Sequence, residues 1–286
     1  MRDTESPAPS LEAEVAKAVA GDRDALEAVV HAVQKDLHVV ALRFLWHPQD
    51  AEDATQEILI RLVTGLSSFR GDSSFRTWAY RIACNTLLTL RRKGRLEQQT
   101  MSFDEFGEDL GRGLSDRPPT ERPEAEQALL LEETKIGCTL AMLACLDRPH
   151  RLAYIVGEIV ELDHREGAEV LEISPAAFRK RLSRARTSIT DFMMARCGLA
   201  NPANACRCRR RVDTAVALGR VDPARLLFAS SLEQARRFPQ VLVEIRQLEA
   251  TRRAAALYRS HPEAHPPAGF SAWLRKVIEA RTPARP

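Results

Sequence analysis

The sequence has no apolar run approaching the ~20 residues of a spanning helix, so no membrane segment is expected. Its first residues, MRDTESPAPS, lack the basic start and apolar centre of a secretion signal, and a cytoplasmic location is the expectation. Valine and threonine rarely alternate with polar residues, which argues against strands. There is no P-loop, nucleophile elbow, HExxH pair or dinucleotide glycine fingerprint, so no enzyme and no cofactor is expected. Six cysteines in 286 residues, without a secretion signal, read as reduced thiols rather than a disulfide framework. A net charge of +3 excludes a polycation. The information lies in where the charge is segregated.

What is present is a 3.6-residue apolar period, repeated along the chain, over a length that suits two or three domains. An all-α protein is expected. Charge segregation is sharpest in Asp50–Arg95. Asp50, Glu52, Asp53 and Glu57 make one helix acidic at its start, where the helix dipole favours acids. Past the loop Gly71-Asp72-Ser73-Ser74, a helix over Phe75–Arg95 turns basic. With Arg81 at zero, Arg92 falls at about 20°, Asn85 at about 40° and Trp78 at about 60°, opposite Ala79, Ile82, Ala83, Leu87 and Leu90. The polar face is therefore guanidinium, amide and indole. Trp78 at its edge can be core, or it can be a stacking surface.

Residues 97–133 carry eleven acids against three arginines, with Pro118, Pro119 and Pro123 interrupting helix. They read as an acidic linker, extended in its middle, with helix resuming near Glu124. Beyond it, a short helix over His164–Leu171 and a turn at Glu172-Ile173-Ser174 precede a longer helix. Ser174 is the expected N-cap and Pro175 the first helical residue. That helix offers Arg179, Lys180, Arg181, Ser183, Arg184 and Arg186, with no acid before Asp191. Short helix, tight turn and basic helix form the helix-turn-helix plan, whose second helix enters the major groove. A basic helix packed on a bundle is the other reading. The tail holds a long helix expected over about Pro239–Arg259 and a short one over Ser271–Ala280.

Cys206 and Cys208, with Cys197 upstream, supply three of the four ligands that tetrahedral zinc takes, but one gap is a single residue and no fourth ligand is assigned. Beside Arg207, Arg209, Arg210 and Arg211 these thiols are expected to have lowered pKa values. Free cysteines in a basic surface loop are the plainer reading.

Assembled, these residues resemble a family. DAEDATQEILIRL, the loop FRGDSSF and FRTWAYRIACNTLLTLRRK look like the second conserved region of bacterial sigma factors, and LACLDRPHR with HREGAEVLEISPAAFRKRLSRAR looks like their fourth. The arrangement, without a middle DNA-binding domain, resembles the extracytoplasmic-function group. The resemblance implies region 2 at residues 11–96, the acidic linker at 97–123, region 4 at 124–197 and a helical, regulatory extension at 198–286. It implies that Asp50, Asp53, Gln56 and Glu57 dock on core RNA polymerase, through the β′ clamp helices, with β as a further contact. Phe75, Trp78, Tyr80 and Asn85 would hold opened bases of the −10 element, with Arg81, Arg91 and Arg92 on phosphates. Ser174, Arg179, Lys180, Arg181, Ser183, Arg184 and Arg186 would read the −35 duplex. Promoter DNA and core polymerase are the implied partners, an anti-sigma protein a further one, and the free chain is expected to be a monomer. A stand-alone helix-turn-helix regulator and a thiol- or zinc-sensing DNA binder are the alternatives. Three positions depart from the family pattern: Thr89 replaces an aspartate, Gly167 an isoleucine and Glu172 the turn glycine. A positive φ at Glu172 would cost on the order of 1 kcal/mol.

Overall fold

The computed structural model describes residues 10–90, 101–114 and 122–262, together with Trp273 and Lys276. Twelve helices account for the described architecture, and the isolated bridge Cys197–Cys206 is the extended pairing among those residues. The all-α expectation is met.

Four helices build the N-terminal unit: α1 (Leu11–Val19), α2 (Arg23–Leu45), α3 (Pro48–Gly65) and α4 (Phe75–Thr89). Each entry is written locally. The side chains of Ser10, Asp22 and Ser74 accept the N–H of Ala13, Ala25 and Thr77. Pro48 is the first residue of α3, with His47 as N-cap, so α3 opens two residues before Asp50. Val29, Val30, Leu37, Ile58, Leu59, Leu62, Ala83 and Leu87 meet in the centre with no exposure above 1%. Burying a side chain of that size contributes roughly 1.5–3 kcal/mol. The continuation of α4 to Arg95 lies outside the described residues.

The linker departs from expectation. Within it stands α5 (Phe103–Arg112), opened by a capping box: Glu105 N–H reaches Ser102 Oγ at 3.2 Å and Ser102 N–H reaches Glu105 Oε2 at 2.7 Å. Acids suggested extended chain, but Phe103, Phe106 and Leu110 recur at helical spacing and give α5 an apolar face. Phe103 and Phe106 lie 5.2 and 5.6 Å from the Phe192 ring.

The next unit contains α6 (Glu124–Ala144), α7 (Arg148–Tyr154) running into a π-turn at Ile155–Ile159, α8 (His164–Val170) and α9 (Pro175–Arg196). Asp147 caps α7, and Pro149 sits in its first turn. After α9 come α10 (Cys208–Ala217), α11 (Leu232–Gln247) and α12 (Ala250–Arg259). The single helix expected over Pro239–Arg259 is two. Leu248 and Glu249 are extended, and Arg253 spans the corner by donating to the carbonyls of Arg246 and Leu248 at 2.9 Å. Pro239 lies inside α11. The expected final helix lies outside the described residues, apart from Trp273 and Lys276.

These units share one apolar cluster that runs from Val15 to Tyr258. Arg151 donates to Phe44 O at 2.9 Å, and Arg148 donates to the carbonyls of Leu87 and Leu90, closing the carboxyl end of α4. A buried node joins three segments. Arg43 of α2 lies 2.5 Å from His261 Nδ1, and His261 Nε2 lies 2.8 Å from Thr139 Oγ1 of α6. Burial first, then Arg43, drives the His261 imidazole well below its usual range. The neutral ring accepts from Arg43 at Nδ1 and donates from Nε2 to Thr139. Burial lowers the Arg43 guanidinium to about 10, so it stays charged at neutral pH.

Candidate nucleic-acid interface

The helix-turn-helix stands on two caps. Asp163 and Glu166 form a capping box at α8, and Ser174 Oγ accepts Ala177 N–H at 3.2 Å at α9, with Pro175 in the first turn. Between them the chain turns through Glu172 at φ 51°, the positive value that the sequence made a condition. The amides of Glu172 and Ile173 return to the carbonyls of Glu169 and Ala168. Where the family carries a branched side chain, Gly167 leaves room for the fully buried Phe178. A Cβ at Gly167 would stand 2.3 Å from Phe178 Cζ.

Phe178, Leu182, Ala185 and Ile189 face the core. That leaves Arg179, Lys180, Ser183 and Arg184 exposed, with Arg181 half-buried. Ser174 is exposed, its hydroxyl already engaged as the cap. Arg186 is half-buried and paired with Glu158, Nε to Oε1 at 3.0 Å, so it is held inside the unit rather than offered outward. Arginine forks reach guanine edges or phosphates when free to do so.

The second candidate face, on α4, divides. Phe75, Trp78 and Tyr80, expected to be available for base stacking, are core residues at 0%, 7% and 7% exposure. The helical wheel put Trp78 at the polar edge. Phe69, just past a 3-10 turn at Leu66–Ser68, covers it there: its ring lies 5.4 Å from Trp78 and 5.5 Å from Phe75, which are themselves 5.5 Å apart. Burial also pushes the Tyr80 phenol up. Arg81 and Asn85 keep the polar face, half-buried, and meet acids of the other unit. Arg81 Nη1 lies 4.0 Å from Glu169, and Asn85 Nδ2 donates to Glu172 Oε2 at 2.6 Å. Arg91 and Arg92 lie outside the described residues.

On α3, Asp53 is exposed, while Asp50, Gln56 and Glu57 are half-buried. Glu57 pairs with Arg61 at 2.7 Å, and Gln49 lies 3.5 Å from Asp53.

The expectation of lowered thiol pKa values is overturned. Cys138, Cys145, Cys197, Cys206 and Cys208 line one cavity of about 650 Å³ and are free thiols. Burial raises the thiols of Cys138, Cys197, Cys206 and Cys208, that of Cys206 to about 11. The neighbouring arginines oppose this more weakly, because they are turned to other partners. Arg207 and Arg210 donate to backbone carbonyls, and Arg211 donates to Asp109 at 3.1 Å. Among the described residues no group of three or more His, Cys, Asp or Glu is placed to hold a metal ion.

The extension is fastened by contacts that motif reading missed. Asp109 of α5 receives Arg220 at 2.6 Å as well as Arg211, and the Arg220 hydrogen bond, with Arg211 adding to it, holds its carboxyl below the usual range. Glu133 of α6 accepts the consecutive amides of Leu227, Phe228 and Ala229, each at 2.8 Å. The acids were visible in the sequence, but not their partners, which are about a hundred residues away.

The signature of sigma-70 region 2 matches residues 29–97, which span most of α2, all of α3 and α4, and the Arg81–Asn85 face. RNA polymerase sigma-H factor of Pseudomonas aeruginosa is 31% identical over 170 residues, 59% of this chain and 86% of that protein. RNA polymerase sigma factor YlaC of Bacillus subtilis is 31% identical over 171 residues, 60% of this chain and 93% of that protein. The chain belongs to the bacterial RNA polymerase sigma factors of the extracytoplasmic-function group. The ECF RNA polymerase sigma-E factor of Escherichia coli, 28% identical over 176 residues, covers 60% of this chain and is itself 87% covered. This sigma factor directs transcription initiation, working with core RNA polymerase and promoter DNA. A stand-alone helix-turn-helix regulator is not favoured. Among the described residues no helix is long and apolar enough to cross a membrane.

Proposed function

We propose that this sigma factor divides its work among three faces. The exposed amino-terminal turns of α9 read the −35 duplex through Arg179, Lys180, Arg181, Ser183 and Arg184. The observation that carries this is the grouping of Arg179, Lys180, Ser183 and Arg184, all exposed, on a helix whose other face is anchored by Phe178 and Leu182. Arg81 and Asn85 of α4 hold the −10 element, with Arg91 and Arg92 assigned to phosphates by the family resemblance. Phe75, Trp78 and Tyr80 form the apolar floor beneath that face. The first turns of α3, with Asp53 most exposed, dock on core polymerase. Residues 11–96 and 124–197 act as the two promoter-reading modules, and the protein works by binding rather than by catalysis.

Arg184→Ala is expected to weaken −35-dependent promoter binding by roughly tenfold or more, since one good base contact is worth ~1–3 kcal/mol. Asp53→Ala is expected to weaken core polymerase binding and to leave DNA contacts intact. Fluorescence titration of core and promoter fragments, run separately for each variant, separates the two. If both variants lose equally in both assays, the division of labour is wrong.

A further inference from the structure

One arginine of α9 lies on the outward stripe of the helix yet has a partner inside the unit. With Arg179 at zero on the helical wheel, Ser183 falls at about 40° and Arg186 at about −20°. Arg186 therefore continues the line of Arg179 and Ser183, roughly 10 Å further along the axis. Its Nε donates to Glu158 Oε1 at 3.0 Å, and its Nη2 donates to the same oxygen. The Glu158 side chain is 13% exposed and that of Arg186 37%, so solvent screens the pair only in part.

Glu158 is fastened so that its carboxylate cannot follow Arg186 outward. It stands in the π-turn at Ile155–Ile159, an irregularity that recurs at functional sites. Leu162 N–H, which a continuing α-helix would give to Glu158 O, returns to Val156 O at 3.1 Å. The freed Glu158 carbonyl accepts Arg259 Nη1 of α12 at 2.9 Å, and the same Nη1 donates to Glu161 Oε1 at 2.5 Å. Glu161 sits at φ 64°, in the left-handed region that glycine enters freely and L side chains avoid, and its surroundings hold it there. On the other side, a Cβ at Gly157 would stand 2.7 Å from Leu182 Cδ2, so the π-turn rests directly on α9.

The helix does not need the Glu158–Arg186 pair to stay in place. Phe178, Leu182, Ala185 and Ile189 anchor it with no exposure above 2%. A guanidinium fork suits a phosphate as well as a carboxylate, so the carboxylate decides whether Arg186 is available to DNA.

We propose that Glu158 is an affinity-determining residue of the −35 module: it withholds Arg186 from the DNA backbone and so sets how many phosphates α9 neutralises. The proposal rests on the assignment of α9 to the −35 duplex. A phosphate contact carries no sequence information, so withholding it lowers binding to right and wrong sites alike.

The test uses holoenzyme assembled from the full chain and a fluorescent promoter fragment found by run-off transcription, titrated at salt concentrations between about 50 and 200 mM. Glu158→Gln keeps the shape and the main-chain bond to Arg259 but loses the charge. It is expected to bind roughly three- to tenfold more tightly at about 0.1 M salt, with the slope of log K against log salt steeper by about 0.9. A pair that only braced the fold would not steepen the slope. The gain should be equal on a fragment whose −35 bases are changed; a gain confined to the unchanged bases would mean a base contact and overturn the phosphate reading. Arg186→Gln added to Glu158→Gln should abolish the gain. If the gain survives it, the lost negative charge rather than the freed arginine is the cause, and the proposal is overturned. Thermal melting checks the fold, and Glu158→Ala repeats the test with no acceptor left for Arg186. If neither Glu158 variant gains while Arg184→Ala still impairs −35-dependent binding, Glu158 is a brace only and the assignment of α9 stands. If Arg179→Ala and Arg184→Ala both leave that binding unchanged, the assignment fails, and the proposal with it.

Discussion

Glu133→Ala is expected to destabilise the protein by about 3 kcal/mol and to free the segment around Leu227–Ala229. Glu133 is 2% exposed and accepts three consecutive amides at 2.8 Å. Hydrogen bonds to a charged partner contribute ~1.5–3 kcal/mol each, and leaving a buried donor unmade costs ~1–3 kcal/mol. The three are not additive, because Leu227 is exposed and its amide can turn to water, whereas Ala229 is buried. The expected loss therefore falls below the sum. Glu133→Gln keeps one acceptor oxygen but brings an amide donor to face the others, so an intermediate loss is expected. Denaturant titration measures the total, and amide exchange at residues 226–230 shows where it arises. A loss under about 1 kcal/mol from Glu133→Ala would mean that Phe228 packing, not the carboxylate, holds the segment.

The second large effect is expected from restoring the residue that the family pattern usually carries. Gly167→Ile should destabilise the helix-turn-helix by about 3 kcal/mol, the upper end for overpacking a filled core. The first added carbon would stand 2.3 Å from Phe178 Cζ and 2.7 Å from Cε2, and Phe178 is fully buried. Removing a helical glycine is itself favourable by ~0.5–1 kcal/mol, which is too little to reverse the sign. Phe178→Leu alone should also destabilise, by leaving a gap. The double variant should recover at least half of the Gly167→Ile loss, and a double-mutant cycle measures the coupling. Additive losses would show that the two positions do not share one space.

The elements that the sequence disclosed are those written by neighbours. Ser174 followed by Pro175, and the acids at the start of α3, each specify a helix within one or two turns, and each helix is there. The basic face of α9 was legible for the same reason: a helical wheel separates Phe178 and Leu182 from Arg179 and Arg184 without outside information.

What failed depended on partners far along the chain. Trp78 lies at a wheel edge, and its burial under Phe69 depends on a loop residue the wheel does not include. The arginines near Cys206 and Cys208 suggested thiolates, but they are engaged by carbonyls and by Asp109, and burial outweighs them. The acids and prolines of the linker suggested an extended middle, but a capping box and three spaced apolar residues made α5. Gly167 and Phe178 are each unremarkable alone, and their exchange of volume is visible only once α8 and α9 are packed.

The node of Arg43, His261 and Thr139 also has a clock in it. Arg43 and Thr139 are made long before His261, and the ~65 residues from Cys197 to His261 take roughly 3–13 s to synthesise at 5–20 residues per second. For that interval the growing chain has its helix-turn-helix complete and its histidine missing. Arg43 then has no imidazole to receive its proton, and Thr139 has none to donate to it. The contact that ties Arg43 of α2 to Thr139 of α6 is therefore supplied by a residue synthesised after both promoter-reading modules.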